Sequence, residues 1–114
     1  MNFSYEGIGQ WAASFGCADV KEGMPVKMTA SGTVSKCADG DAFCGVAISA
    51  AKDGQACAVA LGGMVTVPFT GSAPAVGWSG LCAGGEKGVK VSASGHTYLV
   101  VDVDEVAGMV TFVL

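Results

Sequence analysis

The chain has 114 residues, of which 51% are apolar and only 14% charged, with 18 glycines and a net charge of −4 at pH 7. That length suits one domain with one real core. All six basic residues are lysine, so the arginine forks that read phosphate and guanine are missing and no nucleic-acid partner is expected. No run of 18 apolar residues exists to span a membrane as a helix, and no membrane partner is expected.

The start, Met1-Asn2-Phe3-Ser4-Tyr5-Glu6, has no basic region and no apolar stretch behind it, so it does not read as a signal peptide. Residues 1–10 read as an irregular N-terminal arm, and residues 11–114 as a single β domain. Trp11 to Phe15 is predicted as a short strand with Trp11, Ala13 and Phe15 on one face. Val26-Lys27-Met28-Thr29-Ala30 alternates and runs into Ser31-Gly32, a strand entering a hairpin turn. Thr33 to Cys37 returns, and Ala38-Asp39-Gly40-Asp41 forms a second turn.

Phe43 to Ala50 is predicted as a strand with Cys44, Val46 and Ile48 inward and Gly45, Ala47 and Ser49 outward. After a Lys52-Asp53-Gly54-Gln55 turn, Cys57, Val59 and Leu61 form the next inward face. Gly62-Gly63 is expected to turn the chain. Val65, Val67 and Phe69 then alternate with Met64, Thr66 and Pro68, and Pro68 ends the strand or marks an edge. Thr70 to Gly88 is the loosest stretch. Val89 to Ala93, Thr97 to Asp104 and Met109 to Leu114 complete the set, with Val101 on an inward face and the last two segments paired as a hairpin. No segment holds helical periodicity beyond two turns. The spacing points to an all-β fold and leaves barrel and sandwich open.

Val26-Lys27-Met28-Thr29-Ala30-Ser31-Gly32 has an echo in Val89-Lys90-Val91-Ser92-Ala93-Ser94-Gly95. The echo reads either as one good strand-turn design used twice or as two related halves of a pseudo-symmetric barrel.

Catalytic machinery is hard to find. His96 is the only histidine and sits beside a predicted turn. No Gly-x-Ser-x-Gly elbow occurs. Gly84-Gly85-Glu86-Lys87-Gly88 lacks the Gly-Lys-Ser/Thr ending of a phosphate loop. Asp102, Asp104 and Glu105 read as a solvated strand end, and Asp39 and Asp41 as a turn without the further carboxylates of a calcium loop. A biotin or lipoate carrier would present a lysine at a hairpin tip, whereas Lys27 and Lys90 fall within strands. The five cysteines, Cys17, Cys37, Cys44, Cys57 and Cys82, include no Cys-x-x-Cys pair. They read as small, reduced apolar side chains, with a Cys37–Cys44 disulfide possible but not required. No enzyme activity, cofactor or metal site is expected. The candidate interaction residues are instead aromatic: Phe3, Tyr5 and Trp11 near the start, and Trp78 in the glycine-rich stretch.

From Gly23 to Leu114 the chain also has a familiar style. Short Val/Gly/Ala-rich strands carry Asp41-Ala42-Phe43-Cys44-Gly45-Val46-Ala47, then Ala60-Leu61-Gly62-Gly63, then Ala73-Pro74-Ala75-Val76-Gly77. This resembles the small head decoration (cement) proteins of tailed phages and prophages, in particular the capsid-cement group formerly labelled recombinase-like. The resemblance implies a compact small β-barrel or β-tulip-like domain made in the bacterial host cytoplasm. It further implies a homotrimer on the capsid exterior of the virion, bound to the major capsid protein and stabilising the expanded lattice. It carries no catalytic residues. The competing reading is a tail or fibre module that binds a host ligand such as a glycan, with Trp78 as a stacking platform for sugar.

Overall fold

The computed structural model describes residues 10–52, 55–85 and 88–114. These form nine strands and no helix: β1 (Gln10–Ala18), β2 (Pro25–Ala30), β3 (Thr33–Lys36), β4 (Gly45–Ala50), β5 (Ala56–Pro68), β6 (Gly77–Ala83), β7 (Val89–Val91), β8 (His96–Asp104) and β9 (Met109–Val113). The all-β expectation holds, and the choice between barrel and sandwich falls to the barrel. Strands β1, β3, β2, β4 and β5 pair in that order, and β5 returns to β1 in an antiparallel seam that closes the ring. The order β5-β9-β8-β6-β7 then continues as a second sheet. A parallel bridge from Phe69 to Val89 ties β7 back to the end of β5.

Two apolar cores follow from this arrangement. Every barrel strand sends a side chain into the first: Cys17, Val26, Val34, Ala47, and both Cys57 and Val59. The second lies between the outer side of the barrel, at Val46 and Ala60, and the inner side of the second sheet. That sheet contributes Val65, Val67, Leu81, Val100, Val110 and Phe112. Valine is the commonest residue in both, as suits a curved, half-buried sheet surface. Phe43 and Tyr98 stack at 5.2 Å and both reach Phe112, closing one end of the second core.

The shared strand β5 overturns the turn expected at Gly62-Gly63. The strand runs unbroken for 13 residues, with Gly63 at φ 87° and a register shift opposite Trp11/Ala12. Glycine is needed there because the chain enters the left-handed region, which bends the strand from barrel to second sheet without ending it.

Strand β4 departs from simple alternation for a related reason. Both of its faces are buried, so Gly45 and Ala47 are as enclosed as Val46. A register shift between Ala47 and Ser49 accommodates Ile48. Cys44 precedes the strand and is exposed, not inward. In β8 the shift falls between Val100 and Asp102. Val100 is therefore the inward residue, at 1% exposure, and Val101 is only half-buried.

The stretch read as loosest contains β6. Its glycines serve close approach: a Cβ on Gly80 would collide with the Ser92 carbonyl. The repeated strand-turn motif also resolves. β2 and β3 form a true hairpin, but β7 and β8 do not pair with each other and flank β6 on opposite sides. The echo therefore extends over a strand entry and does not define two related halves. β1 begins at Gln10 rather than Trp11, and the rest of the predicted arm lies outside the described residues.

Candidate interaction surface

Phe3 and Tyr5 lie outside the described residues. Trp11 and Trp78 remain, 70% and 74% exposed, and they are the two most solvent-facing aromatic side chains described. The second sheet connects them. Trp78 pairs with Leu99, Leu99 with Val113, and Val113 with Met64. Residues directly opposite in an antiparallel ladder share a face. Val65, Val100 and Phe112, their chain neighbours, fill the core. The row Trp78–Leu99–Val113–Met64 therefore lies on the outer face.

Trp11 sits at the far end of that row. It pairs with Gly62, two residues before Met64, and its ring covers the space a Gly62 side chain would need. Two tryptophans far apart in sequence thus bracket one apolar strip that crosses β6, β8, β9 and β5. Glycine at position 62 suits this, since a Cβ there would lie 3.3 Å from the indole, which would have to give by a few tenths of an ångström. Leu99, Val113 and Met64 are not among the candidates that residue type and setting single out. Alternation alone assigns each to a face, but only the strand order aligns them.

The strip carries no charge. No acidic or basic side chain occurs between Asp53 and Glu86, a stretch that includes all of β5 and β6, and none occurs from Met109 to Leu114. Beside Trp78 the surface dips into an open groove of about 470 Å³, lined by Phe43, His96, Tyr98, Leu99 and Leu114. Burial pushes the Tyr98 hydroxyl above its usual value, so the phenol stays protonated at physiological pH. The groove is a mostly apolar depression with three aromatic rings, Phe43, Trp78 and Tyr98, in its wall.

Several charged side chains pair away from the strip. Lys27 donates to Asp41 at 2.7 Å, and Lys90 pairs with Asp39 at 2.9 Å. Both aspartates belong to the 38–41 turn, where the Ala38 N–H also donates to Asp41. Asp104 accepts the Val106 and Ala107 N–H groups, each at 3.1 Å, and shapes the β8–β9 turn. Among the described residues, no group of three or more His, Cys, Asp or Glu is placed to hold a metal ion.

None of the five cysteines forms a disulfide. Burial pushes the Cys37 thiol up to about 11. Burial and a hydrogen bond with Cys17 do the same for Cys57.

No family model matches the chain, and no significant match is found among curated proteins or solved structures.

Proposed function

We propose that this chain is a structural protein that works by docking onto other protein subunits, as a decoration protein on the outer surface of a phage capsid lattice. One observation carries the reading: an uncharged apolar strip with an exposed tryptophan at each end. Two tryptophans this exposed, at the ends of a half-buried uncharged row, mark a contact surface, because large aromatic anchors dominate the energetics of protein contacts. The sequence resemblance to capsid-cement proteins supplies the partner class, the major capsid protein, and self-association in a small closed oligomer. The compact barrel suits a rigid clamp, and modest contacts repeated over a symmetric lattice gain strongly from multivalency. The proposal assigns the chain no catalytic step and no cofactor.

The test is co-sedimentation with heads assembled from a phage major capsid protein, before and after expansion. Saturable binding to expanded heads is expected, and it should weaken strongly when Trp11 and Trp78 are both replaced by alanine. Absence of binding by the unaltered chain would sink the proposal.

The groove beside Trp78 favours a second reading, a tail or fibre module that takes a host glycan. Glycan-array binding that disappears in Trp78→Ala, without binding to heads, would select it.

A further inference from the structure

The outer row of the second sheet ends at β6, and one side of β6 carries no described strand there. β8 occupies one side of β6 along Gly77–Leu81, whereas β7 occupies the other side only along Leu81–Ala83. The Ser92 N–H donates to the Gly80 carbonyl at 3.0 Å, so the polar groups of Gly80 face the β7 side. In an antiparallel ladder that direction repeats every second residue. The N–H and C=O of Trp78 therefore point to the same side, beyond the end of β7, where no described strand meets them.

Natural sheets guard such edges with lysine, proline, bulges or a covering loop. The strand Gly77-Trp78-Ser79-Gly80-Leu81-Cys82-Ala83 has no charge and no proline. It lies within the uncharged stretch of a chain whose net charge is −4. Two acidic bodies approach with least repulsion where neither carries charge.

We infer that the open edge of β6 is completed by β6 of a second copy, in an antiparallel two-fold pair centred on Trp78. The outward N–H and C=O of Trp78 then exchange two hydrogen bonds with Trp78 of the second copy. The two indoles become directly opposed cross-strand neighbours, a favourable pair on a sheet face. Because Trp78 opposes Trp78, the two outer rows join in register. One strip then runs from Met64 of one copy, through both tryptophans, to Met64 of the other. The inference deepens the docking reading, on which it rests: the strip seen in one chain is half of the surface that a partner meets. The contact is isologous and closes at two copies, which distinguishes it from a three-fold ring. An edge contact this short falls below the area of a standard stable interface, so a dissociation constant on the order of 100 µM is expected.

The experiment is sedimentation equilibrium of the full chain from about 1 µM to 1 mM, with far-ultraviolet circular dichroism read for the exciton band of two stacked indoles. The expected result is a monomer–dimer equilibrium with an exciton band that grows with concentration, both unchanged in Trp11→Phe. Trp78→Lys places a charge on the edge and should raise the dissociation constant at least roughly thirtyfold. If Trp78→Lys does not fold, Trp78→Phe serves instead and should keep the dimer while losing the band. A monomer throughout the range, a trimer, or a dimer and band that survive Trp78→Lys would overturn the inference. A band that survives Trp78→Phe would do the same. Head binding by a strictly monomeric chain would overturn this inference alone and leave the docking proposal standing. Dimerisation without head binding would do the opposite.

Discussion

Lys27 and Asp41 form a 2.7 Å ion pair that joins strand β2 to the 38–41 turn, and Lys90 on β7 reaches Asp39 of the same turn at 2.9 Å. The two lysines hold equivalent places in the repeated strand entry, beside Val26 and Val89, which are both fully buried. The turn is also stitched to β6, since the Gly40 N–H donates to the Ala83 carbonyl and the Ala83 N–H to the Asp41 carbonyl, each at 2.8 Å. One short turn thus clamps the barrel to the second sheet.

That clamp should show in the pH dependence of stability. The Lys27 hydrogen bond, with the Ala38 N–H second, holds the Asp41 carboxyl below its ordinary value. Its contribution is therefore present above about pH 4 and is lost as pH falls through the lowered value. The Asp41 hydrogen bond and charge raise Lys27, so its contribution is present below about pH 10 and is lost as pH rises further. Both side chains are partly exposed, so the effect is modest. Asp41→Asn should flatten the acid limb of a plot of unfolding temperature against pH. Parallel acid limbs for the two proteins would show that the pair contributes nothing.

The inward face of β8 is decided by a pair of substitutions. Val100→Asp buries an unpaired charge and should cost about 3–5 kcal/mol, a large part of a typical stability of about 5–15 kcal/mol. Val101→Asp, at the half-buried bulge position, should stay within about 1 kcal/mol. Urea unfolding of both variants measures the difference. Equal losses would mean that the register shift between Val100 and Asp102 is misplaced.

Gly80→Ala should destabilise by about 1–3 kcal/mol, because the new methyl meets the Ser92 backbone rather than a movable side chain. Gly71→Ala places its methyl in open space but at φ 72°, and should cost only the strain of the left-handed conformation, about 1 kcal/mol. Thermal unfolding distinguishes steric from conformational demand by the ordering of the two.

Thiol titration should find one fast-reacting cysteine. Cys44 is exposed, while Cys17, Cys37, Cys57 and Cys82 are buried, so access to the reagent separates them even though burial raises the Cys44 thiol as it does those of Cys37 and Cys57. An aromatic disulfide reagent at about pH 8 should release one equivalent promptly from the native chain and all five after denaturation. Loss of the fast phase in Cys44→Ser identifies the residue. Several fast equivalents would mean that the cores open readily.

Deletion of residues 1–9 removes no described pairing, because the β1–β5 seam starts at Gln10 opposite Gly63. The shortened chain should keep its unfolding temperature within a few degrees and, on the docking reading, bind heads more weakly. A drop of tens of degrees would assign the segment to the core.

Alternation of valine with small or polar residues is enough to read an all-β body, the β2–β3 hairpin, the β8–β9 hairpin and the buried faces of Cys57, Val59, Val65 and Val67. Side-chain period along a strand is a local property, and those residues carry it plainly. It fails where one strand serves two sheets. Gly62-Gly63 looks like a turn because nothing local says that β5 continues into a second sheet. Val101 looks inward because a bulge is invisible until the partner strand is placed. Trp11 and Trp78 are legible as exposed candidates by type and setting. That they end one row, with Leu99, Val113 and Met64 between them, depends on the order β6-β8-β9-β5, which long-range hydrogen bonds decide. Periodicity acts over two residues, whereas the strip arises from pairings between strands distant in sequence, and only the closed fold brings those together.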